Sequence, residues 1–217
     1  MSTPAPTRKR LTAEQRRAEI LGAAVEVFAG RGYHGSSIDD TARAAGVSKA
    51  LIYEHFAGKQ ELYASLLEEH ASELFRRLAV AVPGEGTGEP RLAGGLDAFF
   101  AFVEEHRVAC RMLFREATDP EVAAALGRVV DQVTAVVATL IAADPGAQAR
   151  LEEETDREQA LQMLAQMLVG AMQTLANWWA DHQEVPRERL VAVAMDFAWL
   201  GLDRLSRGER WPDGARP

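Results

Sequence analysis

The sequence predicts an all-α fold in two parts, a short helix-turn-helix unit followed by a larger helical domain. Three observations predict it. Apolar residues recur at helical spacing along nearly the whole chain, and nothing reads as a strand-rich run bounded by turns. Residues 36–62, SSIDDTARAAGVSKALIYEHFAGKQEL, read as two short capped helices joined by a tight turn. Finally, two long segments near the C-terminus, 159–180 and 186–207, are apolar around most of a helical circumference.

Length and charge set the bounds. At 217 residues the chain suits one or two domains with a substantial core. The net charge of −8 is unevenly spread. Residues 1–59 hold 9 Lys and Arg against 6 Asp and Glu, which leaves 15 against 26 for the remainder. Local sign matters more than the average, and the basic residues lie with the helix-turn-helix pattern. Cys110 is the one cysteine, so no intrachain disulfide can form, in keeping with a reducing, cytoplasmic setting. The first residues, MSTPAPTRKR, lack an apolar stretch after their charges and do not read as a signal peptide. Residues 1–11 read as a flexible basic arm, whose Arg8, Lys9 and Arg10 could meet phosphates.

Thr12 is a plausible cap for a first helix reaching about Gly30, with Ile20, Ala23, Ala24, Val27 and Phe28 as its apolar stripe. Ser37 and Asp40 are spaced as a capping box for the next helix. That helix ends at Gly46, where a left-handed residue costs little. Ser48 caps a third helix that runs to Phe56, with Ile52 and Phe56 one turn apart and facing the core. Lys49, Ala50, Leu51, Tyr53 and Glu54 are then left outside. Ala, Leu and Tyr side by side make a poor solvent face and a good face for a DNA major groove. The helix-turn-helix domain spans 12–57, and residues 58–217 form the second domain.

Gly46-Val47-Ser48-Lys49, Ile52-Tyr53, His55-Phe56, Lys59 and Leu62 resemble the signature of the TetR family of transcriptional regulators. The resemblance covers roughly residues 12–64 and takes in Ala24, Phe28, Gly32, Tyr33 and Ile38. It implies recognition of a palindromic double-stranded operator by a homodimer. Tyr53 and His55 match family positions that touch the DNA backbone. On this reading Lys49, Ala50, Leu51, Tyr53, Glu54 and His55 meet the DNA, while Ser36, Ser37 and Lys59 contact phosphates. Two positions depart from the common pattern: Ala50 stands where Gly is usual and Leu51 where Thr is frequent. Both bear on which sequence is bound.

A fourth helix is expected from Lys59 to Val82, with Leu62, Leu66, Leu67, Leu74 and Leu78 on its apolar face, mechanically linking the domains. Residues 83–90, PGEGTGEP, break the pattern. Their glycines lack the preceding strand and following Gly-Lys-Ser/Thr of a phosphate loop, so a linker is the better reading. Helices resume at about 91–105, 107–117 and 120–143. The acidic run 152–158 reads as a helix start boxed by Thr155 and Glu158. From Gln159 to Ala180 no residue is charged, a length that could span a bilayer. Gln162, Gln166, Gln173 and Asn177 fall within about 60° of one another on this helix at ~100° per residue, which favours a helix buried on two sides of a bundle over a membrane span. The last helix, about Pro186 to Arg207, is as broadly apolar. Pairing both helices with their copies would bury them in a four-helix interface, with the amide seam either registering the subunits or facing a pocket.

No chemistry of an enzyme stands out. His106 and Cys110 share a helical face but are too few for a metal site, and neither a Gly-x-Ser-x-Gly elbow nor a Walker sequence is present. No cofactor is expected. Aromatic and Met side chains concentrate on the central helices, where core filling accounts for most of them. The TetR resemblance implies an effector pocket there. Its expected lining is Phe99, Phe102, His106, Cys110, Met112, Phe114, Met163, Met167 and Trp178, suited to a mainly apolar small molecule. Arg111 or Arg115 turned inward would suit an acidic ligand such as a fatty acid. The leading function is a ligand-responsive repressor released from its operator by that effector. The alternative is a DNA-binding dimer whose second domain binds a protein and holds no effector; a third reading, a helical enzyme, lacks convergent polar side chains.

Overall fold

The computed structural model describes residues 11–81, 88–110, 120–143 and 156–206. The named helices are α1 (Ala13–Gly35), α2 (Ile38–Ala45), α3 (Lys49–His55), α4 (Lys59–Ala81), α5 (Gly88–Glu105), α6 (Pro120–Ala142), α7 (Arg157–Trp179) and α8 (Arg187–Ser206). Among the described residues there is no strand. The chain divides into two compact units, Met1–Leu66 and Leu67–Pro217, with α4 contributing residues to both.

In the first unit the start signals act as their chemistry requires. Thr12 and Gln15 form a reciprocal capping box at α1, and Ser37 and Asp40 form another at α2. Gly46 ends α2 in the left-handed region, at φ 65°, and Ser48 accepts a hydrogen bond from the Leu51 N–H to start α3. α1 does not stop at Gly30. It continues to Gly35 across a break at Gly32, whose φ of 72° and ψ of 167° are not helical. Packing α2 against α1 and α3 against α2 buries Ile20, Ala24, Phe28, Ile38, Ala42, Ile52 and Phe56. Leu62, Tyr63 and Leu66, from the first turns of α4, complete this core. The Tyr63 ring meets Phe28 edge-on at 5.3 Å and Tyr33 at 5.2 Å.

In the second unit α8 packs on α5 and α6 on α7. A continuous core joins Leu74 and Leu78 of α4, Leu96, Phe100, Phe102 and Val103 of α5, Met172, Ala176 and Trp179 of α7, and Leu190 and Ala194 of α8. Trp179 donates its indole N–H to the Val185 carbonyl at 2.8 Å and meets Phe100 edge-on. Arg187 ties α8 to α5 through Asp97 and Glu104, both at 3.0 Å. α4 and α5 run so close that a Cβ on Gly94 would lie 2.6 Å from the Ala81 carbonyl oxygen. The cap of α7 is Asp156, which accepts from the Gln159 N–H; the expected Thr155 lies outside the described residues. Among the described residues, the segment long and apolar enough to cross a membrane by length and composition is Ala123–Ala142 of α6.

Candidate DNA interface and effector site

The outer face of α3 is built by exclusion. Ile52 and Phe56 are fully buried and pin the helix, and Arg17 covers the Phe56 ring at 5.1 Å. The remaining faces turn outward. Lys49, Ala50, Tyr53 and Glu54 are exposed, with Leu51 and His55 half-buried at the margins. Tyr53 has 49 % of its surface in solvent, much more than an aromatic ring in a packed helical unit needs.

Charges on this surface are steered by two aspartates. Lys49 forms an ion pair with Asp39 at 2.9 Å, and that hydrogen bond and the carboxylate charge raise the ammonium pKa above its ordinary value. Asp40 receives the Ser37 hydroxyl at 2.6 Å and the Arg31 guanidinium at 2.7 Å. The Ser37 hydrogen bond, then Arg31, hold its carboxyl below the usual range against a desolvation effect that opposes them. Ser37 is thus the cap of α2, at the end where its orphan N–H groups and helix dipole favour an anion.

Two residues expected at phosphates are engaged within the unit. Ser36 is buried at 5 % exposure, and its hydroxyl donates inward to the Gly32 carbonyl at 2.5 Å, so its side chain is a staple for the end of α1. Lys59 donates to the carbonyls of Tyr33 at 2.8 Å and Ser36 at 3.2 Å and lies 4.2 Å from the Tyr33 ring centroid. Its ammonium neutralises the carbonyl end of α1, which leaves one N–H for anything outside.

The expected effector residues separate into three groups. Phe102 and Cys110 are buried together in the second unit, and the His106 ring lies 4.7 Å from Phe102. Phe99 packs on the same core and meets Phe100 at 5.1 Å. Met112 and Phe114, with Arg111 and Arg115, lie outside the described residues. Met163, Met167 and Trp178 are not in that core. They are 55 %, 67 % and 45 % exposed along one face of α7. Helical spacing told which residues share a face, but on a helix apolar all round it did not tell which face looks inward.

One member of the inner cluster was not expected from the sequence. His70 of α4 meets the His106 ring edge-on at 5.0 Å and Phe102 at 6.2 Å. It sits in the acidic run EEHASE, which reads as a solvated face. Burial, and then the neighbouring His106, push its pKa down to about 4, with Glu73 opposing. His106 Nε2 is shielded from solvent and has no hydrogen-bond partner among the described residues. Burial alone pushes the Cys110 thiol up to about 12, so it is a packing residue and not a nucleophile. Arg77 lies over the Phe102 ring at 5.7 Å and is held by Glu73 at 2.7 Å and Glu105 at 2.6 Å.

Known proteins place this architecture. Residues 20–66 match the model of the TetR family of bacterial regulatory proteins, and residues 89–201 match a tetracyclin-repressor-like C-terminal domain. The chain belongs to the TetR family. Members of this family are DNA-binding transcription regulators and not enzymes. Over 199 residues the chain is 33 % identical to the HTH-type transcriptional activator FasR of Mycolicibacterium smegmatis, covering 90 % of this chain and 87 % of that protein. It is 32 % identical over 92 residues to the fatty acid metabolism regulator protein of Bacillus subtilis, covering 42 % and 47 %. Among solved structures, a TetR-like regulator from Rhodococcus sp. RHA1 superimposes with a TM-score of 0.72 at 26 % identity, covering 89 % of this chain and 99 % of that one. FadR of Bacillus subtilis, solved with stearoyl-CoA, shares the fold with a TM-score of 0.70 at 22 % identity, covering 88 % and 98 %.

Proposed function

We propose that this TetR-family regulator binds a palindromic operator as a homodimer in the cytoplasm and releases it when the second unit takes up a long-chain acyl ligand. The outer face of α3 carries the DNA half of the reading. Ala50, Tyr53 and Glu54 are exposed on a helix whose opposite side is fully buried, with Lys49 paired to Asp39 and Leu51 half-buried at the margin, a face that suits a major groove. Leu51 offers methyl groups to a thymine methyl, and Glu54 can accept from a cytosine amino group. Tyr53 and His55 flank them as backbone contacts, with the Ser37 end of α2 at a phosphate.

The acyl half rests on the company the chain keeps and on its interior. A similar protein of Bacillus subtilis is a fatty acid metabolism regulator, and FadR of the same species shares the fold while holding stearoyl-CoA. The core of the second unit is rich in aromatic and aliphatic side chains, with the His70 and His106 rings beside Phe102 as a small polar cluster, the composition that suits an apolar tail with one polar group. Release requires the ligand to prefer the geometry that does not fit DNA; equal affinity for both would shift nothing. The repressor expected from the sequence and an activator like the M. smegmatis relative need this same step.

Fluorescence anisotropy on DNA from upstream of the gene tests it. Nanomolar binding should be lost on addition of micromolar palmitoyl-CoA or stearoyl-CoA. Binding that no acyl-CoA or free fatty acid alters would favour a second unit that binds a protein partner.

A further inference from the structure

The cluster of His70, Phe102 and His106 differs from the rest of the second unit's core because it holds a ring nitrogen without a hydrogen-bond partner among the described residues, where the Trp179 indole N–H is satisfied by the Val185 carbonyl. Leu74, Leu78, Phe100 and Met172 complete one another and require nothing polar. His106 Nε2 is different: it is shielded from water and meets no acceptor or donor among the described residues. A buried polar atom without a partner is costly, and native proteins satisfy nearly all of them. The ring is fixed in place by Phe102 at 4.7 Å and by the His70 ring at 5.0 Å. Its backbone is fixed as well, donating to the Phe102 carbonyl at 2.9 Å and receiving the Cys110 N–H at 2.8 Å. It therefore cannot turn to find a protein partner without breaking this packing.

We propose that His106 Nε2–H is the hydrogen-bond donor for the carbonyl oxygen of the acyl ligand, with the His70 ring beside it as the second wall of a carbonyl seat. This rests on the acyl reading above and adds the group of the ligand that is recognised. The chemistry selects a neutral acceptor over a carboxylate. His70 stays uncharged near neutral pH, because burial and His106 both disfavour its protonated form. The cation beside the cluster, Arg77, is already paired with Glu73 and Glu105. A carboxylate brought here would find the neighbouring guanidinium of Arg77 already committed to Glu73 and Glu105, whereas a thioester carbonyl needs one donor and no charge. The seat thus separates acyl thioesters from free fatty acids of the same chain length.

Calorimetry on the full chain with three probes tests this. Palmitoyl-CoA carries the thioester carbonyl, S-hexadecyl-CoA replaces it with a methylene, and palmitate replaces the thioester with a carboxylate. Wild type should bind palmitoyl-CoA about tenfold tighter than the thioether, the scale of one hydrogen bond to a buried donor. In His106→Phe that ratio should fall to about one, and His106→Gln should restore part of it. Circular dichroism and the thermal midpoint of each variant report that it folds. On wild type alone, the ¹⁵N resonance of His106 Nε2 should move with the thioester and not with the thioether. A ratio near one in wild type, or a ratio that survives in His106→Phe, overturns the carbonyl seat and leaves the acyl reading standing. Palmitate equal to palmitoyl-CoA overturns the selection against carboxylates. If neither the CoA compounds nor palmitate bind wild type, the acyl reading itself falls and takes this assignment with it; palmitate binding alone overturns the carbonyl seat.

Discussion

Lys59 shows how a single side chain can serve the fold from a position the sequence assigns to DNA. Its ammonium donates to two carbonyls at the end of α1, and charged hydrogen bonds of this kind contribute about 1.5–3 kcal/mol, toward the low end at a half-exposed site. Lys59→Ala should therefore lower the thermal midpoint of the first unit, measured by circular dichroism, as well as weaken DNA binding on all sequences. An unchanged midpoint would return Lys59 to phosphate binding alone. Leu51→Thr should leave stability alone and change base preference in a selection experiment, with about 1–3 kcal/mol per base pair at stake. His70 sets a different dependence. Its pKa falls from an ordinary 6.5 to about 4 on folding, so above pH 6.5 it is neutral in both states and adds no pH dependence. Between pH 6.5 and 4 the unfolded chain binds the extra proton, and stability falls as pH falls. His70→Phe should flatten denaturant midpoints across that window. Glu73 acts in a lower one: its carboxyl is held at about 2 by the Arg76 and Arg77 hydrogen bonds, so the stability it adds is lost below its ordinary 4.5.

At the level of elements, legibility follows the range of the interaction that fixes each feature. The caps at Thr12, Ser37 and Ser48 and the left-handed Gly46 could be read from the sequence because each is decided within four residues. The break at Gly32 could not, because it depends on Ser36 and Lys59 returning to the carbonyls around it. The burial of His70 was equally hidden, since the rings that enclose it come from residues more than thirty positions away. Met163, Met167 and Trp178 were assigned to the interior for a related reason: α7 is uncharged from Gln159 onward, so polarity does not mark its outer face. The α4–α5 contact supplies a test that only coordinates suggest. Gly94→Ala would drive a methyl to 2.6 Å from a backbone oxygen that cannot swing aside, so the helices must separate. A loss of about 1–3 kcal/mol is expected by chemical denaturation, although Ala is the better helix former. A gain in stability would show that the two helices part readily.

The molecule as a whole exposes apolar surface that a solitary chain would hide. Met163, Met167 and Trp178 on α7 and Val193 and Phe197 on α8 all stand in solvent, with Phe197 at 65 %. Scattered apolar residues on a surface are ordinary, but runs at i, i+4 spacing on two long helices are the faces that monomers rarely show. Their opposite sides are already committed, with Ala165, Met172, Ala176, Leu190 and Ala194 buried in the second unit. A second copy supplies matching stripes by symmetry and needs no other partner. In the proposed homodimer each copy brings one α3 to the operator, so that the second contact would be intramolecular and affinity would rise far above that of one half-site. Phe197→Glu puts a charge into the centre of this face without touching α3 or the cluster at His106. Light scattering should show a dimer for wild type at micromolar concentration and a monomer for the variant. Affinity for a palindrome should drop at least a hundredfold, while affinity for an isolated half-site stays unchanged. A wild-type monomer at that concentration would remove the dimer from the mechanism. A variant that stays dimeric would move the interface away from α8.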